Sequence, residues 1–157
     1  MLKNYTLVIC RRNVQEGNGV TRAQVLLGMK KRGFGVDKYN GFGGKVEPNE
    51  SMREAAVREL AEESGLHANA LTMRGTLLFY MRDSSKIMNV GVYECRDFSG
   101  DLAESDEMVP RWFDESDIPL DRMWPDDAYW MPCFLSSVSF CGRCSTITLP
   151  VEYSIFG

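Results

Sequence analysis

The sequence predicts a mixed α/β domain in which strands outnumber helices, and three observations point there. Short apolar stretches such as YTLVIC (5–10) and KIMNVGVYEC (86–95) have the length and residue types of strands. The segment 52–64 is punctuated as a helix at both ends. Strand-like segments lie on either side of it, so a sheet covered by about two helices accounts for the pattern.

Taken in order, YTLVIC is the first strand and RRNVQEGNGVT (11–21), polar with two glycines, a flexible connection. AQVLLGMKK (23–31) is a second strand with Val25, Leu27 and Met29 alternating. GFGVDKYNGFGG (33–44), crowded with glycine, is loop or short bent strand. Ser51 with Glu54 makes a capping box, and Gly65 stands where a left-handed C-terminal cap belongs. LTMRGTLLFYMR (71–82) and KIMNVGVYEC are two long strands around Asp83, Ser84 and Ser85. DFSGDLAESDEM (97–108) is an acidic loop and VPRWF (109–113) a short strand. A second helix begins at Pro125, bent or ended at Pro132, and the tail alternates as β structure until Pro150 breaks it.

At 157 residues the chain, 1–157, is expected to form a single domain, burying roughly two-thirds of its unfolded surface. The net charge of −4 argues against a long nucleic-acid footprint, which needs a basic face. A small anionic ligand is compatible with it where a divalent cation inverts the local charge. No apolar run approaches the ~20 residues of a membrane span. The N-terminus turns polar at Arg11, Arg12 and Asn13, unlike a secretory signal. Five scattered cysteines suit a reducing compartment. These features predict a cytoplasmic chain, monomeric, with no membrane partner.

The chemistry concentrates in RELAEESG (58–65), where Glu59, Glu62 and Glu63 crowd one helix. Like charges three or four residues apart repel by a few tenths of a kcal/mol per pair. On a wheel of about 100° per residue, Glu59 and Glu63 fall within about 20° of Met52, in the sector of Ala55 and Ala56. A solvated face would lie opposite the small apolar residues; these acids lie among them. Converging carboxylates are what Mg²⁺ or Mn²⁺ requires. Arg58 is spaced to hold Glu62.

From Gly44 to Leu66, GKVEPNESMREAAVRELAEESGL resembles the Nudix box at every specified position: Gly44, Glu50, Arg58-Glu59-Leu60, Glu62-Glu63 and Gly65-Leu66. The resemblance implies an α/β/α sandwich with a mixed sheet and a loop-helix-loop that binds Mg²⁺, with Mn²⁺ as its substitute. It implies hydrolysis of a nucleoside diphosphate linked to another moiety. Carried over by position, Glu59, Glu62, Glu63 and the Gly44 carbonyl are metal ligands, Arg58 orients a carboxylate and Glu50 supports the box. A P-loop would need glycine at Tyr39 and Ser or Thr at Val46, and a Rossmann fingerprint would need glycine at Val46; both fail.

Beyond the box, GMKKRGFG (28–35), NGFGGKV (40–46), ESDEM (104–108) and MWPDD (123–127) resemble the branch of the family that hydrolyses oxidised purine nucleoside triphosphates. What this implies is an enzyme for 8-oxo-dGTP and 2-hydroxy-dATP that cleanses the nucleotide pool and prevents DNA damage. Trp124 then stacks on the base, with Phe34, Phe79, Met88 and Met108 as walls; each of these also makes an ordinary core residue. Asn40, Asp126 and Asp127 read the base edge, although acids after Pro125 also suit a helix start. Adjacent carboxylates in a dry slot do not both ionise, so the pair offers a donor and an acceptor together. Thr6 and Lys30 are further substrate contacts, Lys30 toward phosphate or simply solvated with Lys31 and Arg32. Glu107 is either another metal ligand or the base that activates water, a role shared as a candidate with Glu63. The alternatives are a Nudix pyrophosphatase for another nucleotide and a silent nucleotide-binding domain. CGRC (141–144) has redox-motif spacing but no following helix, and His67, the only histidine, is far away in sequence.

Overall fold

The computed structural model describes residues 1–81, 85–146 and 152–156. Its frame is an eight-stranded mixed sheet: β1 (Leu2–Gln15), β2 (Thr21–Lys30), β3 (Tyr39–Asn40), β4 (His67–Met81), β5 (Ile87–Ser99), β6 (Met108–Asp114), β7 (Ser139–Thr146) and β8 (Glu152–Phe156). The order is β3-β2-β1-β5-β4-β7-β8, with β6 also on β2. β1 runs parallel to β5 and β4 parallel to β7; the other pairs are antiparallel.

β1 is central and buried on both faces, which is why its sequence is a continuous apolar run instead of an alternating one. Leu7 and Ile9 point to one face, where they pack with Trp130, Met131 and Phe134 of α2 (Asp127–Leu135). Val8 and Cys10 point to the other, where Ala56 and Leu60 of α1 (Met52–Ser64) cover them. One helix on each face makes the α/β/α sandwich.

Helix α1 starts and stops as its sequence dictates. Ser51 accepts the Glu54 N–H at 3.2 Å while Glu54 reaches back to the Ser51 N–H at 2.7 Å. Gly65 ends it at φ 76°, its N–H on the Ala61 carbonyl at 3.0 Å.

Three expectations are corrected. The connection 11–21 is largely strand: Cys10–Gln15 pair with Thr21–Leu26, and only Glu16–Val20 turn. Polar residues there are strand-forming because Arg11 is buried against Glu94 at 3.0 Å and Arg12 bonds Gln24 across the ladder. The acidic loop is likewise shortened, since β5 continues to Ser99 opposite His67. Helix α2 does not end at Pro132, which lies inside it, but runs to Leu135. Proline leaves the carbonyl of Ala128 without its partner, and Ala128 is exposed, so water can serve it. Pro150 and the turn residues Asp83 and Ser84 lie outside the described residues. Among the described residues no helix is long and apolar enough to cross a membrane.

The capping box sets the first stability test. Ser51→Ala lowers unfolding free energy by about 1 kcal/mol, read from the urea midpoint at unchanged slope.

Candidate active site

The loop that precedes α1 is laid against β1 by backbone bonds. Phe42 exchanges two hydrogen bonds with Val8, at 2.9 and 2.6 Å, and the Gly44 carbonyl accepts the Thr6 N–H at 2.9 Å. The approach is so close that a Cβ on Gly43 would stand 1.9 Å from the Thr6 oxygen. One on Gly44 would stand 2.3 Å from a Glu59 carboxylate oxygen. Both positions must be glycine for backbone and carboxylate to meet.

Glu59, Glu62, Glu63, Ser105, Asp106 and Glu107 line one cavity of about 230 Å³. Glu63 is buried and its Oε2 accepts the Gly43 N–H at 3.0 Å. Loss of solvation pushes its pKa up to about 7, against the pull of the Gly43 amide and Lys30. Burial also raises Glu59, although Arg58 bonds it at 2.9 Å. Glu107 goes the other way, held below the ordinary carboxylate range by Lys30 at 3.2 Å and Arg32 at 3.3 Å.

Arg58 is the hub that holds Glu59 and Glu62. Its guanidinium takes both oxygens of Glu50, at 2.7 and 3.1 Å, one of Glu59, one of the exposed Glu62 at 3.2 Å, and the Lys45 carbonyl. The planar fork suits such multiple acceptance. Glu50 is fixed in turn by the Glu47 N–H at 2.7 Å. Among the described residues no three acids form a ready ion cage, because cations and the Gly43 amide draw them apart. The donors are nonetheless all oxygen, as a hard divalent ion requires, and such an ion keeps several waters of its own.

On the α2 face stands a second group. Asp127 is almost fully buried, and its Oδ2 accepts the Trp124 N–H at 3.0 Å. Neither Asp126 nor Asp127 caps the helix in the usual way; Asp126, at the cap position, makes no side-chain bond to the helix amides. Burial raises the pKa of Asp126 and, with the Asp126 charge added, that of Asp127 to about 8. The buried Trp130 indole N–H lies close enough to favour both anions without meeting either at full hydrogen-bond geometry. Trp124 is stacked on Phe34, centroids 4.8 Å apart and planes 23° apart, with the Lys38 ammonium 5.4 Å from the ring centre. Phe79 and Met88 pack at the edge of the same core. The Asn40 side-chain oxygen accepts the Gly41 N–H at 2.9 Å.

Two expected substrate contacts, Met108 and Thr6, stand on the other face of the sheet. Met108 is buried on the α1 face with Phe42 and Leu60, because its register opposite Lys30 turns it to that side of the sheet. Thr6 is on that face as well, its hydroxyl 3.5 Å from the Gly44 amide, where it supports the glycine loop. Trp124 has the chain's own Phe34 on its ring. Cys141 and Cys144 point to opposite faces of β7, so their thiols cannot pair. Ser105 and Asp106 were not legible as cavity residues; their signal is only adjacency to Glu107 in ESDEM.

The sandwich, the glycine loop and the acid-bearing helix define a phosphoanhydride hydrolase fold of one kind: the chain belongs to the Nudix family. A sequence profile of the NUDIX domain matches residues 8–134. The chain is 47% identical over 123 residues to the oxidized purine nucleoside triphosphate hydrolase of Danio rerio, covering 78% of this chain and 79% of that protein. It is 46% identical over 120 residues to the protein of the same name from Mus musculus, covering 76% and 77%. The CTP pyrophosphohydrolase of Escherichia coli is 32% identical over 95 residues, 60% of this chain and 68% of that one. A crystal structure of a mutator MutT protein from Bacillus halodurans shares the fold, with a TM-score of 0.74 over 96% of this chain and 97% of that one at 20% identity.

The raised carboxyl pKa values fix a pH dependence. A carboxyl whose folded pKa exceeds its unfolded value stabilises the fold below the unfolded value and loses that contribution as pH rises through the folded one. Without metal, Glu63 acts between about pH 4.5 and 7 and Asp127 between about pH 4 and 8. Melting temperature in chelator therefore declines across that window, and Asp127→Asn flattens its upper part. A wild-type profile level from pH 5 to 8 contradicts the assignment.

Proposed function

We propose that this chain hydrolyses oxidised purine nucleoside triphosphates to the monophosphate and pyrophosphate, with Mg²⁺ as cofactor and Mn²⁺ as its substitute. The observation that carries the substrate class is the Asp126–Asp127 pair beside Trp124, with Asp127 buried and Asp126 partly so. Near neutral pH the Asp127 carboxyl retains a proton to donate, and the Asp126 carboxyl beside it supplies acceptor oxygens, so one donor and one acceptor stand together. Moving that proton lets the pair complement both an oxidised guanine and an oxidised adenine. The names borne by the Danio rerio and Mus musculus relatives support the same class.

The two groups are joined by one loop. Lys30 donates its N–H to the Lys38 carbonyl at 2.9 Å and accepts that of Asp37 at 2.9 Å. The acidic cavity thus lies at one root of the segment whose Phe34 and Lys38 touch Trp124. A purine held at Trp124 has its phosphates directed toward Lys30 and the carboxylates.

Glu59, Glu62, Glu63, Glu107 and the Gly44 carbonyl would hold the metal; the Gly44 oxygen retains a lone pair beyond its bond to Thr6. When bound, the ion neutralises phosphate charge and acidifies a water. Arg58 ties Glu59 and the exposed Glu62 to one another, with contacts at 2.9 and 3.2 Å. Lys30 and Arg32 supply positive charge to the phosphate chain. Glu63 or Glu107 accepts the proton of the attacking water, and Asn40 and the aspartates orient the base.

Turnover of 8-oxo-dGTP, 2-hydroxy-dATP, dGTP and CTP, side by side with Mg²⁺, tests this reading. The oxidised purines are expected to exceed dGTP and CTP in kcat/KM by at least about tenfold, chelator to abolish turnover, and Glu63→Gln to lower kcat by about 100-fold or more. Equal rates on all four nucleotides would overturn the substrate class. Asp126→Asn and Asp127→Asn are expected to change the ratio between the two oxidised bases; identical losses on both count against proton sharing.

A further inference from the structure

We infer that Ser105 is a positioning residue for the reaction, fixing the backbone of Glu107 so that its carboxylate stays directed at the acidic cavity; this rests on the role given to Glu107 above. The Ser105 hydroxyl oxygen accepts two backbone N–H groups, from Glu107 at 3.3 Å and Met108 at 3.1 Å. The Ser105 N–H donates to the Met108 carbonyl at 3.0 Å, closing a turn around Asp106 and Glu107.

That turn is tied to the end of β2 from the other side. The Lys31 N–H donates to the Glu107 carbonyl at 2.8 Å, and the Lys31 ammonium donates to the Ser105 carbonyl at 2.9 Å and pairs with Glu104. Both backbone polar groups of Glu107 are therefore engaged, one by Ser105 and one by Lys31. Met108, buried and close against Gly28, pins the end of the turn in the core.

Among the described residues, the Glu107 carboxylate pairs with two cations, half-buried Lys30 and exposed Arg32. A polyphosphate entering the cavity competes for the same two cations. Once they turn to phosphate, the side-chain contacts that aim Glu107 weaken and the backbone contacts remain. Ser105 then matters in the substrate complex more than in the free protein, which separates it from a purely structural serine.

Ser105→Ala is expected to lower kcat by about tenfold while KM stays within about twofold, with Ser105→Thr, which keeps the hydroxyl acceptor, restoring most of the loss. In a Glu107→Gln background Ser105→Ala is expected to cost nothing further, because the carboxylate it aims is gone. Should Ser105→Ala shift the urea midpoint, Ser105→Cys, nearly isosteric and a weaker acceptor, supplies the same comparison. Wild-type kcat in Ser105→Ala, or an equal loss with and without Glu107, overturns the inference while leaving the proposed function standing. A wild-type rate in Glu107→Gln alone removes Glu107 from the chemistry and the inference with it, and that result is visible separately.

Discussion

Mutual repulsion among Glu59, Glu62, Glu63 and Glu107 is the constraint on which the rest of the site depends. At contact distance two such charges oppose one another by ~1 kcal/mol in water and several-fold more where solvent is thin. The chain meets this by giving each acid its own counterpart: Arg58 for Glu59 and Glu62, the Gly43 amide for Glu63, Lys30 and Arg32 for Glu107. Glu63 answers in a second way, through a pKa near neutrality. Removing any counterpart leaves a carboxylate uncompensated in a partly closed cavity, where unpaired charge is costly.

The same logic is inverted on the other face. Burial is the largest influence on Asp126 and Asp127 and raises both pKa values, outweighing the pull of Lys38 on Asp127. Glu107 is thus kept charged by its cations, whereas desolvation keeps Asp127 protonated near neutral pH. Helix α2 is held for this purpose from its far end. Arg11 donates to the Leu135 carbonyl at 3.0 Å, and Arg74 donates to that of Ser137, where a helix terminus has free acceptors. Arg11, Arg74 and Arg96 all converge on the buried Glu94. That cluster joins β1, β4 and β5 to the end of α2, and the helix start is placed by it together with Trp130 and Phe134 in the core.

The sequence by itself determined what depends on short spacing. The capping box, the left-handed Gly65 and the placing of Glu59 and Glu63 beside Ala55 and Ala56 are all decided within a few helical turns, by geometry every α-helix shares. That residues 5–10 form a strand was equally legible, from the length and residue types of their apolar run. Tertiary structure decided whatever required a partner distant along the chain. Arg11–Gln15 are strand only because β2 pairs with them and Glu94 neutralises Arg11; nothing local marks them so. Met108 and Thr6 lie on the α1 face because strand register, which a single-residue slip reverses, assigns sides. The stacking of Phe34 on Trp124 and the grip of Ser105 on Glu107 join segments or turns whose residues carry no periodic signal. Local rules state which groups are available; only the folded sheet states which of them meet.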